Sequence, residues 1–216
     1  MATEQLRWGV SPLCWTNDVL EDLGGDIPLD TCLREAREAG YQGIELGRKF
    51  PRQAATLGLL LAAADLRLAS GWYSGMLADR SVEAELEAVR EHAQLLRQLG
   101  AKVMVYGECG QLPGETPLDE PISLSPPLSR VSLAAYCHKL NTFADLLLRD
   151  YDLQLAYHHH LMMLVEHDDE LERFLSHTHD NVGLAFDTGH AFVAGVEIPR
   201  VLHKYCLLYT SPSPRD

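Results

Sequence analysis

Four imidazoles and two carboxylates fall in two short stretches of this chain. One is Tyr157-His158-His159-His160 with Glu166 beyond it, and the other is Asp187-Thr188-Gly189-His190. Each stretch closes an apolar run, Leu153 to Tyr157 in the first case and Val182 to Phe186 in the second. Neutral imidazole together with carboxylate is a donor set that suits a divalent transition metal such as Mn, Co or Zn. Two neighbouring parallel strands ending this way would gather the side chains around one point at the mouth of a sheet. Alternation along a strand lets His158 and His160 share a face and turns His159 to the other, so His159 reads as structural. A single His at a strand end is ordinarily a surface or core residue; here two runs end alike, and that repetition carries the expectation of a site.

The elements that must position these groups are legible from punctuation and period. Strands are predicted over Leu6–Ser11, Gly43–Leu46, Leu66–Tyr73, Lys102–Tyr106, Leu153–Tyr157 and Val182–Phe186. Helices are predicted from Asp30 or Thr31, as a cap, to Ala39, then over Arg52–Ala64, Val82–Leu99, Ser129–Arg149, Asp168–Ser176, and from Ile198 to Tyr205. Gly40 and Gly100 stand where a helix-terminating glycine belongs. Gly110 to Pro127 holds five of the eleven prolines and reads as a long irregular insertion. Glu83, Glu85, Glu87 and Glu91 read as a solvated helix face. His167-Asp168-Asp169-Glu170 reads as a helix start whose carboxylates suit the dipole. Leu161-Met162-Met163-Leu164-Val165 reads as packing, because thioethers fill gaps and favour soft ions.

Strand and helix thus alternate six times, which implies parallel strands joined by right-handed crossovers. Polar groups collect after every strand: Thr16-Asn17-Asp18, Glu45 and Lys49, Trp72-Tyr73, Tyr106 and Glu108, His158 and His160, Asp187 and His190. A doubly wound sheet usually binds at one switch point, whereas a (β/α)8 barrel builds its site from the loops after all its strands. The expected fold class is therefore α/β, an incomplete (β/α)8 TIM barrel over residues 1–205. Residues 206–216 carry Ser-Pro-Ser-Pro without periodicity and resemble translated read-through of a sequencing adapter. They are expected to be spurious or disordered.

Composition sets the outer bounds. The 216 residues are 46% hydrophobic and 23% charged, which fits one soluble domain with a sizeable core. A net charge of −13 disfavours a nucleic-acid backbone as partner. The five cysteines, Cys14, Cys32, Cys109, Cys137 and Cys206, form no CxxC pair and read as reduced thiols of a cytoplasmic protein. No apolar run approaches the roughly 18 residues needed to span a bilayer, and Met1 to Arg7 lacks the pattern of a signal peptide.

Taken together, Trp15-Thr16-Asn17-Asp18 with Leu23-Gly24-Gly25, Lys49-Phe50-Pro51, Ser70-Gly71-Trp72-Tyr73-Ser74-Gly75, Tyr157-His158-His159-His160, Glu166 and Asp187-Thr188-Gly189-His190 resemble the myo-inosose dehydratase family of xylose-isomerase-like barrels. The resemblance implies dehydration of 2-keto-myo-inositol (scyllo-inosose) to a trihydroxycyclohexane-1,2-dione in inositol catabolism. It implies cobalt or manganese as cofactor and glutathione as a further one, with a polyol ketone as the small-molecule partner and a homo-oligomer as a possible assembly. It also implies a metal held by a group after strand five, by Asp187 after strand six, and by a His and a Glu from later strands that lie beyond residue 205. His158 or Glu166 would be the first ligand, and His190 a substrate-facing histidine. A chain lacking the later ligands is expected to turn over little or nothing. A sugar isomerase or epimerase of the same barrel class, or a non-catalytic relic, is the alternative. The family pattern runs Met-Gly-Thr where this chain has Leu161-Met162-Met163, which predicts crowding near His160 and Glu166.

Losing water β to a ketone requires removal of the proton α to it, which a metal-stabilised enolate makes feasible. A base must take that proton and an acid must protonate the departing hydroxyl. His190, Glu45 and Lys49 are the candidates, with Lys49 serving either as a base of lowered pKa or as a cation on a substrate oxygen. Trp15, Trp72 and Tyr73 offer ring faces to the substrate carbons, and Asn17 and His160 complete the substrate-binding set.

Overall fold

Short apolar runs separated by amphipathic stretches bury best when strands stack side by side and helices cover them, and the chain alternates in this way. The computed structural model describes residues 7–18, 20–110, 132–205 and, as backbone, 209–212. Their packing resolves into two compact units, Met1–Trp72 with Gln94–Lys102, and Tyr73–Ala93 with Val103–Asp216.

The first unit opens with β1 (Gly9–Val10) and a 3-10 turn at Pro12–Cys14, continues through α1 (Leu29–Glu38), β2 (Gly43–Leu46) and α2 (Ala54–Ala63), and enters β3 (Arg67–Gly75). β1 runs parallel to β2 and β2 parallel to β3, with Val10, Ile44 and Leu68 in register. Helix α1 buries Cys32, Leu33 and Ala36 on one stripe. Its cap position is taken by Pro28, not by Asp30 or Thr31; Asp30 sits in the first turn, where a carboxylate suits the dipole. Gly40 ends the helix at φ +92, a conformation that Cβ-bearing residues rarely adopt.

The second unit holds the rest of β3, most of α3 (Val82–Gln98), β4 (Val103–Glu108), α4 (Leu133–Tyr151), β5 (Gln154–His158), α5 (Asp168–His177), β6 (Val182–Phe186), α6 (Thr188–Val193) and α7 (Ile198–Lys204). β4, β5 and β6 pair parallel in sequence order. The backbone of Tyr209–Pro212, in the stretch expected to be spurious or disordered, lies as β7 parallel to β6. The proline-rich insertion falls almost wholly in 111–131, outside the described residues.

Helix α4 starts at Leu133, four residues after the predicted Ser129, with the Ser132 hydroxyl accepting the Ala135 N–H. Tyr136, Leu140, Phe143 and Leu147 recur at three and four and are fully buried. β6 is buried along its whole length, as expected of a parallel strand covered on both faces. Aromatic rings fill the layer between strands and helices: Tyr106 lies 5.4 Å from Phe143, and Tyr157 lies 4.3 Å from Phe174, centroid to centroid. One reading is corrected here. Glu85 of α3 is not on a solvated face but has no exposure at all.

Helix α5 begins as read, with a capping box between His167 and Glu170. It is tied to α7 through Glu172, which accepts from Lys204, from Arg200 at 2.6 Å and from the Tyr205 hydroxyl at 2.8 Å. Those three donors hold the Glu172 carboxyl down at about 2. A carboxyl whose folded pKa lies below its unfolded one contributes stability above the unfolded value and loses it as pH falls through the folded one. The tie between α7 and α5 is therefore expected to be complete above pH 4.5 and to fade between there and about 2. Amide exchange along α7, followed from neutral pH downward, checks this; protection that stays constant through that window would count against it.

Candidate metal-binding site

Strand register gathers the site. His158 of β5 pairs with Ala185 of β6, so the two point to one face, and Asp187, two residues on, returns to that face. Beyond the strand, Asp187 becomes the N-cap of α6 and its Oδ1 accepts the His190 N–H at 2.9 Å. That bond folds the chain back so that the His190 ring arrives beside the strand ends. Gly189 permits the tight turn: a Cβ there would stand 3.1 Å from Asp187 Oδ1. Asp187 Oδ2 faces His158 Nε2 at 3.6 Å, with the aspartate 1% and the histidine 12% exposed at the side chain.

His158, Asp187 and His190 each offer a ligand atom, and these atoms lie within 4.8 Å of one another. A separation of 3.6 Å is long for a hydrogen bond, but two donors sharing a tetrahedral ion at ordinary Zn–N and Zn–O lengths stand about 3.3 Å apart. The residues present therefore fit a divalent ion in both donor chemistry and spacing. His160 joins from the same face, its ring 3.7 Å from His190 and 5.8 Å from His158. Its Nδ1 lies 2.7 Å from the Leu161 carbonyl oxygen. A carbonyl only accepts, so Nδ1 carries the proton and Nε2 holds the lone pair.

His159 turns to the opposite face, as alternation requires, and packs 5.3 Å from the Phe186 ring. Burial, followed by the neighbouring imidazoles His158 and His190, pushes its pKa down to about 3, so it is a neutral core residue.

Glu166, one of the two expected first ligands, is not gathered into the trio. Its carboxyl is buried, which raises its pKa, and it takes a backbone hydrogen bond from Met162. His190, expected as an acid–base group facing substrate, offers a ring nitrogen within 4.8 Å of the His158 and Asp187 ligand atoms.

The remaining expected residues lie mostly in the first unit. Glu45 of β2 accepts the Ser70 hydroxyl at 3.0 Å. The Lys49 ammonium donates to three carbonyls, of Gly24 at 2.7 Å, Gly25 at 3.0 Å and Ile27 at 2.5 Å. With its three N–H groups so engaged it fastens a loop and holds no lone pair for a base. The Trp15 indole donates to Glu35 at 2.6 Å, and the Asn17 side chain accepts the Leu20 N–H at 2.6 Å. Trp72 is half-buried at the end of that unit. Tyr73, in the second unit, packs 5.5 Å from His92 and 6.1 Å from Tyr106, so its ring belongs to a cluster of its own.

Parallel strands alternating with helices, and donors collected beyond the strand ends, define an α/β barrel-type architecture. The family described as xylose isomerase-like TIM barrel matches residues 33–206, and the chain belongs to it. Among relatives, the rhizopine catabolism protein MocC of Rhizobium meliloti is 41% identical over 93% of this chain and 64% of its own length. Inosose dehydratase of Clostridium perfringens is 33% identical over 95% of this chain and 69% of its own length. The chain thus spans about two thirds of these relatives. Among solved structures, the IOLI protein with a binding zinc atom superposes with a TM-score of 0.64 at 14% identity, covering 94% of this chain and 70% of that one, which is a likeness of fold.

The loop between β5 and α5 holds one residue in an unusual backbone conformation. Met162 stands at φ +66, the left-handed region, at the position where the sequence resemblance predicts glycine. His160 N–H donates to Val165 O and Met163 N–H to His160 O, both at 3.2 Å, closing a compact turn around it. A side chain in that region carries backbone strain. Met162→Gly is expected to stabilise the chain by about 0.5–1 kcal/mol by relieving that strain. Urea unfolding measures it; a variant no more stable than the parent would show that Met162 packing outweighs the strain.

Proposed function

We propose that this chain carries the metal-binding part of a dehydratase acting on a keto-inositol. The observation that carries the reading is the trio His158, Asp187 and His190, in a chain 33% identical to an inosose dehydratase across 95% of its length. His158, Asp187 and His190 would hold the divalent ion, and manganese, cobalt or zinc all suit two imidazoles and a carboxylate. When bound, the ion supplies Lewis acidity that stabilises negative charge developing on a substrate oxygen.

The chain's own residues supply the proton chemistry. His160 Nε2, its lone pair fixed by the Nδ1–H bond to Leu161 O, accepts the proton α to the ketone. The imidazolium so formed is the donor for the hydroxyl leaving the β carbon, so the step removes one water and leaves a double bond conjugated to the ketone. His159 holds β5 from behind and takes no proton, since burial keeps it neutral. Glu166 shapes the loop through the Met162 N–H. Glu45 and Lys49 take no assigned step.

Manganese binding followed by electron paramagnetic resonance tests the ligand set. Asp187→Asn is expected to weaken binding by roughly 10–100-fold or more, and Glu166→Gln to leave it within a few-fold. Equal losses in both variants would return Glu166 to the ligand set. Product analysis with scyllo-inosose and manganese tests the reaction class: any conversion should give the dione, and an epimeric ketose in its place would sink the dehydratase reading.

A further inference from the structure

Behind the strands of the second unit lies a group of buried polar side chains that the proposed chemistry does not use. Glu108, the last residue of β4, has no exposure. Its Oε1 accepts the Gly110 N–H at 2.7 Å and its Oε2 accepts the Ala78 N–H at 3.1 Å. Glu85 of α3 is equally buried; its Oε1 accepts the Met76 N–H at 3.0 Å and its Oε2 faces the Arg80 guanidinium at 3.2 Å. The Tyr106 hydroxyl donates to Glu85 at 3.0 Å and accepts the Leu77 N–H at 3.3 Å.

Three consecutive N–H groups of the loop after β3, at 76, 77 and 78, are thus each taken by a different buried side chain. The loop after β4 is taken by the same carboxylate that holds Ala78, and Cys109 N–H donates to Gly75 O at 2.7 Å. Two glycines make the fit possible. A Cβ on Gly75 would stand 1.8 Å from Tyr106 Cζ, and one on Gly110 would stand 2.5 Å from Glu108 Oε1. Burying two carboxylates costs free energy that their hydrogen bonds must offset, so an arrangement this costly marks loops that need one conformation.

We propose that Glu108, Glu85 and Tyr106 are positioning residues that together lock Met76–Ala78, just after β3, to Cys109–Gly110, just after β4, at the carboxyl end of the strands, where they shape the entrance for a polyol ketone. The entrance role rests on the dehydratase reading above; the locking does not. Loops after the strands are where this fold builds its sites, and here both are held from behind the sheet, away from the metal-binding trio.

Glu108→Gln keeps the size of the side chain but sets an amide NH2 against one of the two N–H donors. Tyr106→Phe removes only the hydroxyl. Amide exchange on this chain is expected to quicken at least about tenfold at Ala78 or Gly110 in Glu108→Gln and at Leu77 in Tyr106→Phe, with β5 and β6 amides unchanged. Manganese affinity should stay within about twofold while scyllo-inosose affinity falls by about tenfold or more. Unchanged exchange at those amides in both variants overturns the proposal, and so does a general loss of protection through β5 and β6. Raised local exchange with undiminished inosose affinity in Glu108→Gln overturns the entrance role. Raised local exchange in a chain that binds manganese but no inosose even unaltered supports the lock and counts against the substrate reading instead.

Discussion

The constraint on which the second unit turns is the burial of the Asp187 carboxylate. A charged group with 1% exposure cannot stand at the end of an apolar strand without compensation. Compensation comes from two directions. The first turn of α6 supplies the His190 N–H, and β5 supplies the His158 imidazole. The first of these folds α6 back over the strand ends and the second fixes the face on which β5 must end. One carboxylate therefore decides where a helix starts, how the chain turns after β6 and which imidazoles meet. A divalent ion would add a large positive charge directly beside that carboxylate.

The two faces of the same strands do different work. On one, His158, His160, Asp187 and His190 converge. On the other, Tyr106 and Tyr157 lie in register and their rings enter the aromatic layer under α4 and α5. Glu85 and Glu108 belong to that rear layer, where their acceptors are spent on loop N–H groups. Burial raises the Glu108 pKa while the Gly110 and Ala78 N–H bonds and the neighbouring Tyr136 hydroxyl lower it, the balance favouring burial. The polar groups at the back thus fasten the loops after β3 and β4, while the groups at the front are set by the parallel ladder of β5 and β6.

The β5–α5 loop is held differently from the strand ends it joins. A methionine occupies a left-handed position, and the Glu166 carboxylate turns to the Met162 N–H. Residues 161–163 thus carry a left-handed backbone position, and the carboxylate that the family resemblance placed among the ligands takes a backbone hydrogen bond beside it. The ligand donors that remain close together come from strand ends and a helix cap, which are set by register, and not from the loop, which is not.

The alternation of strands and helices, the barrel class, the shared face of His158 and His160, the inward placement of Asp187 and the structural role of His159 could all be read from the sequence, because they follow from periods of 2 and 3.6 and from the positions of breakers. Short α6 could not, since six residues show no helical period and only the capping bond from Asp187 announces it. Nor could the burial of Glu85: it shares its helix with exposed Glu83 and Glu87, and only the arrival of Tyr106 and the Met76 N–H distinguishes it. The engagement of Lys49 with three carbonyls, and the exclusion of Glu166 from the trio, likewise depend on partners 22 to 25 residues away or on one backbone dihedral. Sequence settles which face a side chain takes, because the backbone period is local. Which charge it meets there is settled by tertiary packing, because its partners come from elsewhere in the chain.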